Sequence, residues 1–233
     1  MFRVLLLLAC TVLCIAPLAH AGDVAFGGVL PNGAMYTGKV ESMAERRFRN
    51  VVRQHTDYSC GAAALATILK HAYHLNTDEA TVIEGMMGVA DPDLVRQRGF
   101  SLLDIKRYVE SLGMRGRGYR VDEGRLKSLR VPGLVLMDVR GFRHFVVLKQ
   151  VRDEMVEVAD PILGNRAVPL QEFLQSWPSR AVFVVIGSDF DRNTVLLQPS
   201  ERPSARALVA RQGGGPITDA ELVDFGFTHA DLF

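Results

Sequence analysis

Apolar positions along this chain follow two rhythms, and the rhythm changes near residue 115. Before that point they recur at helical spacing. Cys60 to His74 (CGAAALATILKHAYH) predicts a helix whose small residues allow close packing. Asp78 is placed to cap a second helix running to Met87, and Ser101-Leu102-Leu103-Asp104 has the form of a capping box that opens a third. That third helix carries Leu102, Ile105, Val109 and Leu112 on one face, with Gly113 just past its end. A short helix over Glu41 to Phe48 and a strand over Asn50 to Gln54 are expected ahead of these.

After residue 115 the apolar residues gather into short β-branched runs: Tyr119 to Val121, Leu134 to Val139, Phe145 to Lys149, Val156 to Ala159 and Val182 to Ile186. Arg140-Gly141-Phe142-Arg143 reads as the turn of a hairpin, and Pro169 to Trp177 as a helix between the last two runs. Helices first and strands afterwards make an α+β domain rather than an alternating parallel sheet. The flanks lack either rhythm. Residues 22–44 form a glycine-rich N-terminal arm, and residues 188–233 turn polar and pass through Gly213-Gly214-Gly215-Pro216, which predicts a flexible tail. The compact domain is therefore expected over residues 45–187, and no internal repeat is visible.

The first 21 residues carry a different signal. Met1-Phe2-Arg3, the apolar run Val4 to Leu18 and Ala19-His20-Ala21 have the charged start, greasy middle and small-residue exit of a secretory signal peptide. An uncleaved anchor and lipid attachment at Cys10 are the other readings of this run. Export changes the meaning of the cysteines. Of the three, Cys10 and Cys14 lie in the signal, so processing would leave Cys60 alone in a compartment where thiols are normally paired. Composition is that of a globular protein, with 48% hydrophobic and 23% charged residues. A net charge of +1 gives no electrostatic footprint for nucleic acid.

A lone exported thiol at the start of a helix invites a catalytic reading, because the helix's unsatisfied amides and dipole favour a thiolate there. A thiol nucleophile needs a base and a group that orients it, brought together only by the fold. His144 opens a strand and could face the helix start. Asp160 closes the next apolar run, beside it if the strands are neighbours. Gln54 precedes Cys60 on the same loop, where its side-chain amide and the Cys60 backbone amide could hold an oxyanion. Each residue alone has a bland alternative, such as a buried histidine, an Asp-Pro turn or an exposed glutamine.

In this order the motifs QHTDYSCGAAALATIL (Gln54 to Leu69), GFSLLDIKRYVESLG (Gly99 to Gly113), HFVVL (His144 to Leu148) and DPILG (Asp160 to Gly164) resemble those of the bacteriocin-leader-processing, double-glycine cysteine peptidases. The resemblance spans roughly residues 45 to 187. It implies a papain-like fold, with an N-terminal helical half packed on an antiparallel sheet half. It also implies Cys60 as nucleophile, His144 as general base and acid, Asp160 as its orienting residue and Gln54 as oxyanion donor. The expected substrate is a protein or peptide with a Gly-Gly segment, cut after the pair, with no cofactor. Many relatives are front domains of export ATPases, whereas this chain has a signal-like start and no Walker-type phosphate loop, so no nucleotide is expected. It also reads Tyr58-Ser59 where many members have an aspartate directly before the cysteine. In both respects it looks like the stand-alone periplasmic peptidases of functional-amyloid export systems, which implies a periplasmic enzyme working beside outer-membrane secretion machinery.

Three rival functions remain open at the level of sequence. A papain-like acyl transferase or amidase would pass through the same thioester. A non-cleaving escort would grip the Gly-Gly segment and hand it to an exporter. A metal site would use His71 and His74 on one helix face, with Asp78 or Glu79 as a further ligand.

Overall fold

The computed structural model describes residues 23–26, 36–39 and 41–199. The signal-like segment and the tail past residue 199, including Gly213-Gly214, lie outside the described residues. The chain divides into two compact units, Met1–Arg49 and Asn50–Phe233. In the first, β1 (Asp23–Phe26) pairs antiparallel with β2 (Tyr36–Lys39), and a Ser42–Glu45 capping box opens α1 (Met43–Arg47).

The second unit carries the two rhythms as two layers. Helix α2 (Cys60–Ala72) is buried at Gly61 through Leu69 and again at Ala72, so it is a central helix rather than an amphipathic surface one. Its small residues are what allow that. Helix α3 (Glu79–Met87) begins where Asp78 accepts from the Thr81 amide, and α5 (Leu102–Ser111) begins at the expected Ser101–Asp104 box. Helix α5 buries Ile105, Tyr108 and Val109, while Leu112, expected on the same face, is exposed. Between α3 and α5 lies α4 (Pro92–Arg98), which the apolar rhythm does not announce because Val95 is its one buried residue. Its start is nevertheless conventional, an Asp91 cap followed by proline in the first turn.

The sheet contains β3 (Arg115–Arg120), β4 (Gly133–Val139), β5 (Phe142–Arg152), β6 (Met155–Asp160), β7 (Gly164–Pro169) and β8 (Ala181–Ile186). The strands lie in the order β3-β8-β4-β5-β6-β7, each antiparallel to its neighbours. Strand β7 and the short α6 (Glu123–Lys127) are not expected from the sequence, being too polar to register as apolar runs. Helix α7 (Leu170–Gln175) falls inside the stretch expected to be helical. The β4–β5 turn is tighter than expected: its two residues Arg140 and Gly141 have positive φ, 55° and 85°, the pattern of a two-residue hairpin turn that matches the strand twist. Phe142 and Arg143 consequently belong to β5.

Alternate residues of β5 serve different layers. Val146 and Leu148 join a core cluster with Val156, Val158, Phe173 and Trp177. Phe145 instead lies against Gly61 of α2, where a Cβ would sit 3.2 Å from its ring. Glycine at the second position of α2 thus lets the start of that helix approach β5 one residue from His144.

Two expectations are corrected here. Asn50 to Gln54 is not a strand; the Val52 amide donates to Thr67 Oγ1 at 3.0 Å and the Gln54 amide to the Pro161 carbonyl at 2.9 Å, so these two amides find partners without a ladder. Residues 188–199, expected to begin a flexible tail, are anchored on the end of α2. The Asp191 amide donates to the Ala72 carbonyl, Thr194 Oγ1 to the His71 carbonyl, and Leu196 on a short 3-10 helix (Val195–Leu197) is buried. Among the described residues, no helix is long and apolar enough to cross a membrane.

Candidate active site

Cys60 is a free, half-buried thiol at the first position of α2, and Ser59 ahead of it provides no side-chain cap to the helix amides. The amides at this terminus are therefore available to an incoming negative charge. His144 lies near the start of β5, and Asp160 ends β6, the adjacent strand. Their pairing follows from that adjacency. His144 Nε2 and Asp160 Oδ1 are 2.9 Å apart, with side-chain exposures of 9% and 4%.

The carboxylate is itself held. Asp160 Oδ1 accepts from the amides of Ile162 at 2.8 Å and Leu163 at 3.0 Å, and Oδ2 lies 3.8 Å from Arg166 Nη1. Burial alone would push the Asp160 carboxyl up, but the bond to His144, its charge and the two amides bring it below the usual carboxylate value. An ionised carboxylate only accepts, so Nε2 of His144 carries the proton toward it. That leaves Nδ1, which is buried without a hydrogen-bond partner. Burial pushes His144 down, yet the Asp160 bond and the nearby Cys60 thiol outweigh it and raise its pKa to about 9. Phe142, at the start of β5, lies roughly parallel to the imidazole with ring centres 6.1 Å apart.

Gln54 reaches this neighbourhood through its backbone, pinned by the 2.9 Å bond to the carbonyl of Pro161, the residue after Asp160. Its Nε2 donates to the Thr56 carbonyl at 2.6 Å, which leaves a second N–H to donate, and its Oε1 is buried without a partner. The structure therefore joins His144 to Asp160 directly, sets Cys60 near enough to influence the imidazole, and ties the Gln54 loop to the Asp160 loop.

The other histidines are elsewhere engaged. His74 Nε2 lies 3.2 Å from Asp191, His71 is depressed by burial, and Asp78 caps α3. Glu79, the other acidic residue considered with that pair, binds His55 and Ser59. No cluster of three metal-ligating side chains forms among the described residues. His229 lies outside them. Sequence reasoning gives Glu79 no part in the thiol site, since a glutamate in the first turn of a helix reads as an ordinary complement to the dipole. Its burial is the signal, and burial is a tertiary property.

Residues 49–189 match the model of the Peptidase C39 family. The chain belongs to this family. Two similar proteins are each named "Probable functional amyloid protease FapD". One, from Pseudomonas aeruginosa, is 50% identical over 204 residues, covering 88% of this chain and 89% of its own. The other, from Pseudomonas fluorescens, is 46% identical over 224 residues, covering 96% and 97%. Among solved structures, a double glycine motif protease from an AMS/PCAT transporter, in complex with its leader peptide, matches with a TM-score of 0.50 and 26% identity, covering 59% of this chain and 91% of that one. This C39 chain is accordingly a cysteine peptidase, and its α+β architecture is the papain-like peptidase fold, as the resemblance in sequence implied.

Proposed function

We propose that this peptidase is a periplasmic thiol endopeptidase that cuts after a Gly-Gly pair in a protein exported by an outer-membrane, amyloid-forming secretion system. The signal-like start supports the compartment. The names of the two Pseudomonas relatives and the double-glycine protease support the substrate class. The observation that carries the catalytic reading is the buried His144–Asp160 pair, whose imidazole keeps one buried nitrogen without a full hydrogen bond and has Cys60 as a close neighbour.

The chemistry follows from that arrangement and needs no cofactor. His144 Nδ1 takes the proton of Cys60, and the sulfur attacks the carbonyl carbon of the second glycine of the pair. The developing oxyanion is held by the free N–H of Gln54 and the backbone N–H of Cys60. As the intermediate collapses, the imidazolium returns the proton to the departing amine, and a thioester remains on Cys60. His144 then deprotonates water, which attacks the thioester and releases the new carboxylate and the thiol. Asp160 keeps the imidazole oriented and favours its cation throughout. A non-cleaving escort would have no use for this pair, whose burial costs desolvation that binding alone does not require.

The test incubates the processed protein with Gly-Gly-containing exported substrates from a functional-amyloid system and maps products by mass spectrometry. A single cut after Gly-Gly, lost in Cys60→Ala, is expected. Cuts elsewhere would overturn the substrate reading, and Cys60-independent cutting would overturn the site. Transfer of the acyl group to an added amine in place of hydrolysis would make the enzyme an acyl transferase.

A further inference from the structure

Glu79 is buried, with 7% of its side chain exposed, although it lies in the first turn of α3 and belongs to neither the nucleophile nor the base. Its carboxylate is occupied by a single loop. Oε1 accepts from the His55 amide at 2.9 Å and from the Ser59 hydroxyl, and Oε2 meets His55 Nδ1 at 2.6 Å. Those two residues flank the segment between Gln54 and Cys60. Ser59 is fully buried and immediately precedes the nucleophile, while His55 immediately follows the oxyanion donor.

The same loop is tied a second time at the Thr56 carbonyl. That oxygen accepts from Gln54 Nε2 at 2.6 Å and from the Ser59 amide at 3.3 Å, with Ser59 Oγ 2.8 Å away. The network thus runs from Glu79 through Ser59 and Thr56 to the Gln54 amide. An oxyanion hole works only when its donors are fixed on the place where charge develops, and both donors assigned above sit at the ends of this loop. A surface glutamate would serve a helix N-terminus equally well, so the dipole alone does not account for a buried one.

We propose that Glu79 is a positioning residue for the oxyanion hole, its carboxylate clamping His55 and Ser59 so that the Gln54 side chain and the Cys60 amide point at one site. This rests on the roles proposed for Gln54 and Cys60. Glu79→Gln keeps the shape but removes the negative charge that strengthens the bonds from the His55 amide and the Ser59 hydroxyl, and its amide nitrogen can face only a His55 Nδ1 that accepts. The clamp is then weakened.

The experiment follows Cys60 acylation by p-nitrophenyl acetate, which forms an oxyanion whatever the peptide preference, in wild type, Glu79→Gln, Gln54→Ala and the double variant. Alkylation by iodoacetamide, which forms no oxyanion, is measured beside it. Glu79→Gln should slow acylation about tenfold or more with alkylation changed less than about twofold, and should cost less in the Gln54→Ala background than alone, since only the Cys60 amide is then left to misplace. Losses that multiply in the double variant, or alkylation falling in step with acylation, would overturn the proposal. If Glu79→Gln fails to fold by circular dichroism, Ser59→Ala removes one arm of the clamp. It should show the same selective loss, and wild-type acylation in it would overturn the proposal equally. Ester turnover that survives Cys60→Ala would instead defeat the catalytic reading beneath it.

Discussion

His144 meets Asp160 at 2.9 Å and His55 meets Glu79 at 2.6 Å, so among the described residues there are two short histidine–carboxylate pairs, one beside Cys60 in space and one on the loop that leads into it. The second pair is the shorter, and His55 is much nearer Cys60 along the chain. They differ in which partner is dry. The His144 side chain is 9% exposed, and its burial lets Asp160 and Cys60 govern its charge. The His55 side chain is 71% exposed, so its interaction is screened by water and only its carboxylate partner is buried. A proton-transfer partner has to be held and shielded; the His55 imidazole is held by Glu79 but is not shielded. The buried member of the second pair, Glu79, holds the His55–Ser59 loop through its hydrogen bonds.

The largest expected effect separates the two histidines outright. Cys60→Ala and His144→Ala should each cut turnover by on the order of 10⁴-fold or more, since in the proposed mechanism no neighbour replaces the nucleophile or its base. Steady-state kinetics on a mapped substrate, with circular dichroism as the folding control, decides it; a dead His55→Ala beside an active His144→Ala would exchange the roles of the two pairs. Next in size is Gln54→Ala, with a loss of about a hundred- to a thousandfold in kcat and little change in KM, as for one oxyanion donor among two.

Asp160→Asn should be milder, because a neutral residue can still orient an imidazole. Its clearer mark is on pH. His144 is raised to about 9 partly by the Asp160 bond, so the alkaline limb of turnover, where the imidazolium loses the proton it gives to the leaving amine, should move toward neutral pH in Asp160→Asn. A limb that stays put would show that Asp160 does not set the charge of the imidazole.

The same pair predicts a stability profile. A histidine whose folded pKa lies above its unfolded value near 6.5 stabilises the fold fully below about pH 6.5 and loses that contribution as pH rises through about 9. Thermal unfolding between pH 6 and 10 should therefore show a fall in Tm that is absent in His144→Ala, with a contribution on the order of a few kcal/mol. The smallest effect on turnover is expected from His55→Ala, within about tenfold, because the exposed imidazole is the arm of the Glu79 clamp most screened by water. Its backbone amide still binds Glu79.

Local chemistry by itself determined much of this protein. The caps at Asp78 and Ser101, the helix opening at Cys60 and four of the five β-branched runs are short-range signals that appear in the fold where the sequence places them, whereas the run at Tyr119 to Val121 is only the end of a strand that begins at Arg115. The four candidate residues were also legible as a set, through the resemblance of their motifs. What the sequence could not determine depended on partners distant along the chain. Asn50 to Gln54 forms no ladder because Thr67 and Pro161, not a strand, take the hydrogen bonds of its Val52 and Gln54 amides. Residues 188–199 are polar yet anchored, because the open end of α2 needs donors for its carbonyls. His55 and His144 look alike as letters, and only the tertiary structure decides which imidazole is shielded from water. The physical reason is the same in each case: secondary structure follows from neighbours within a turn or two, whereas burial, and with it charge state, follows from what the folded chain brings from elsewhere.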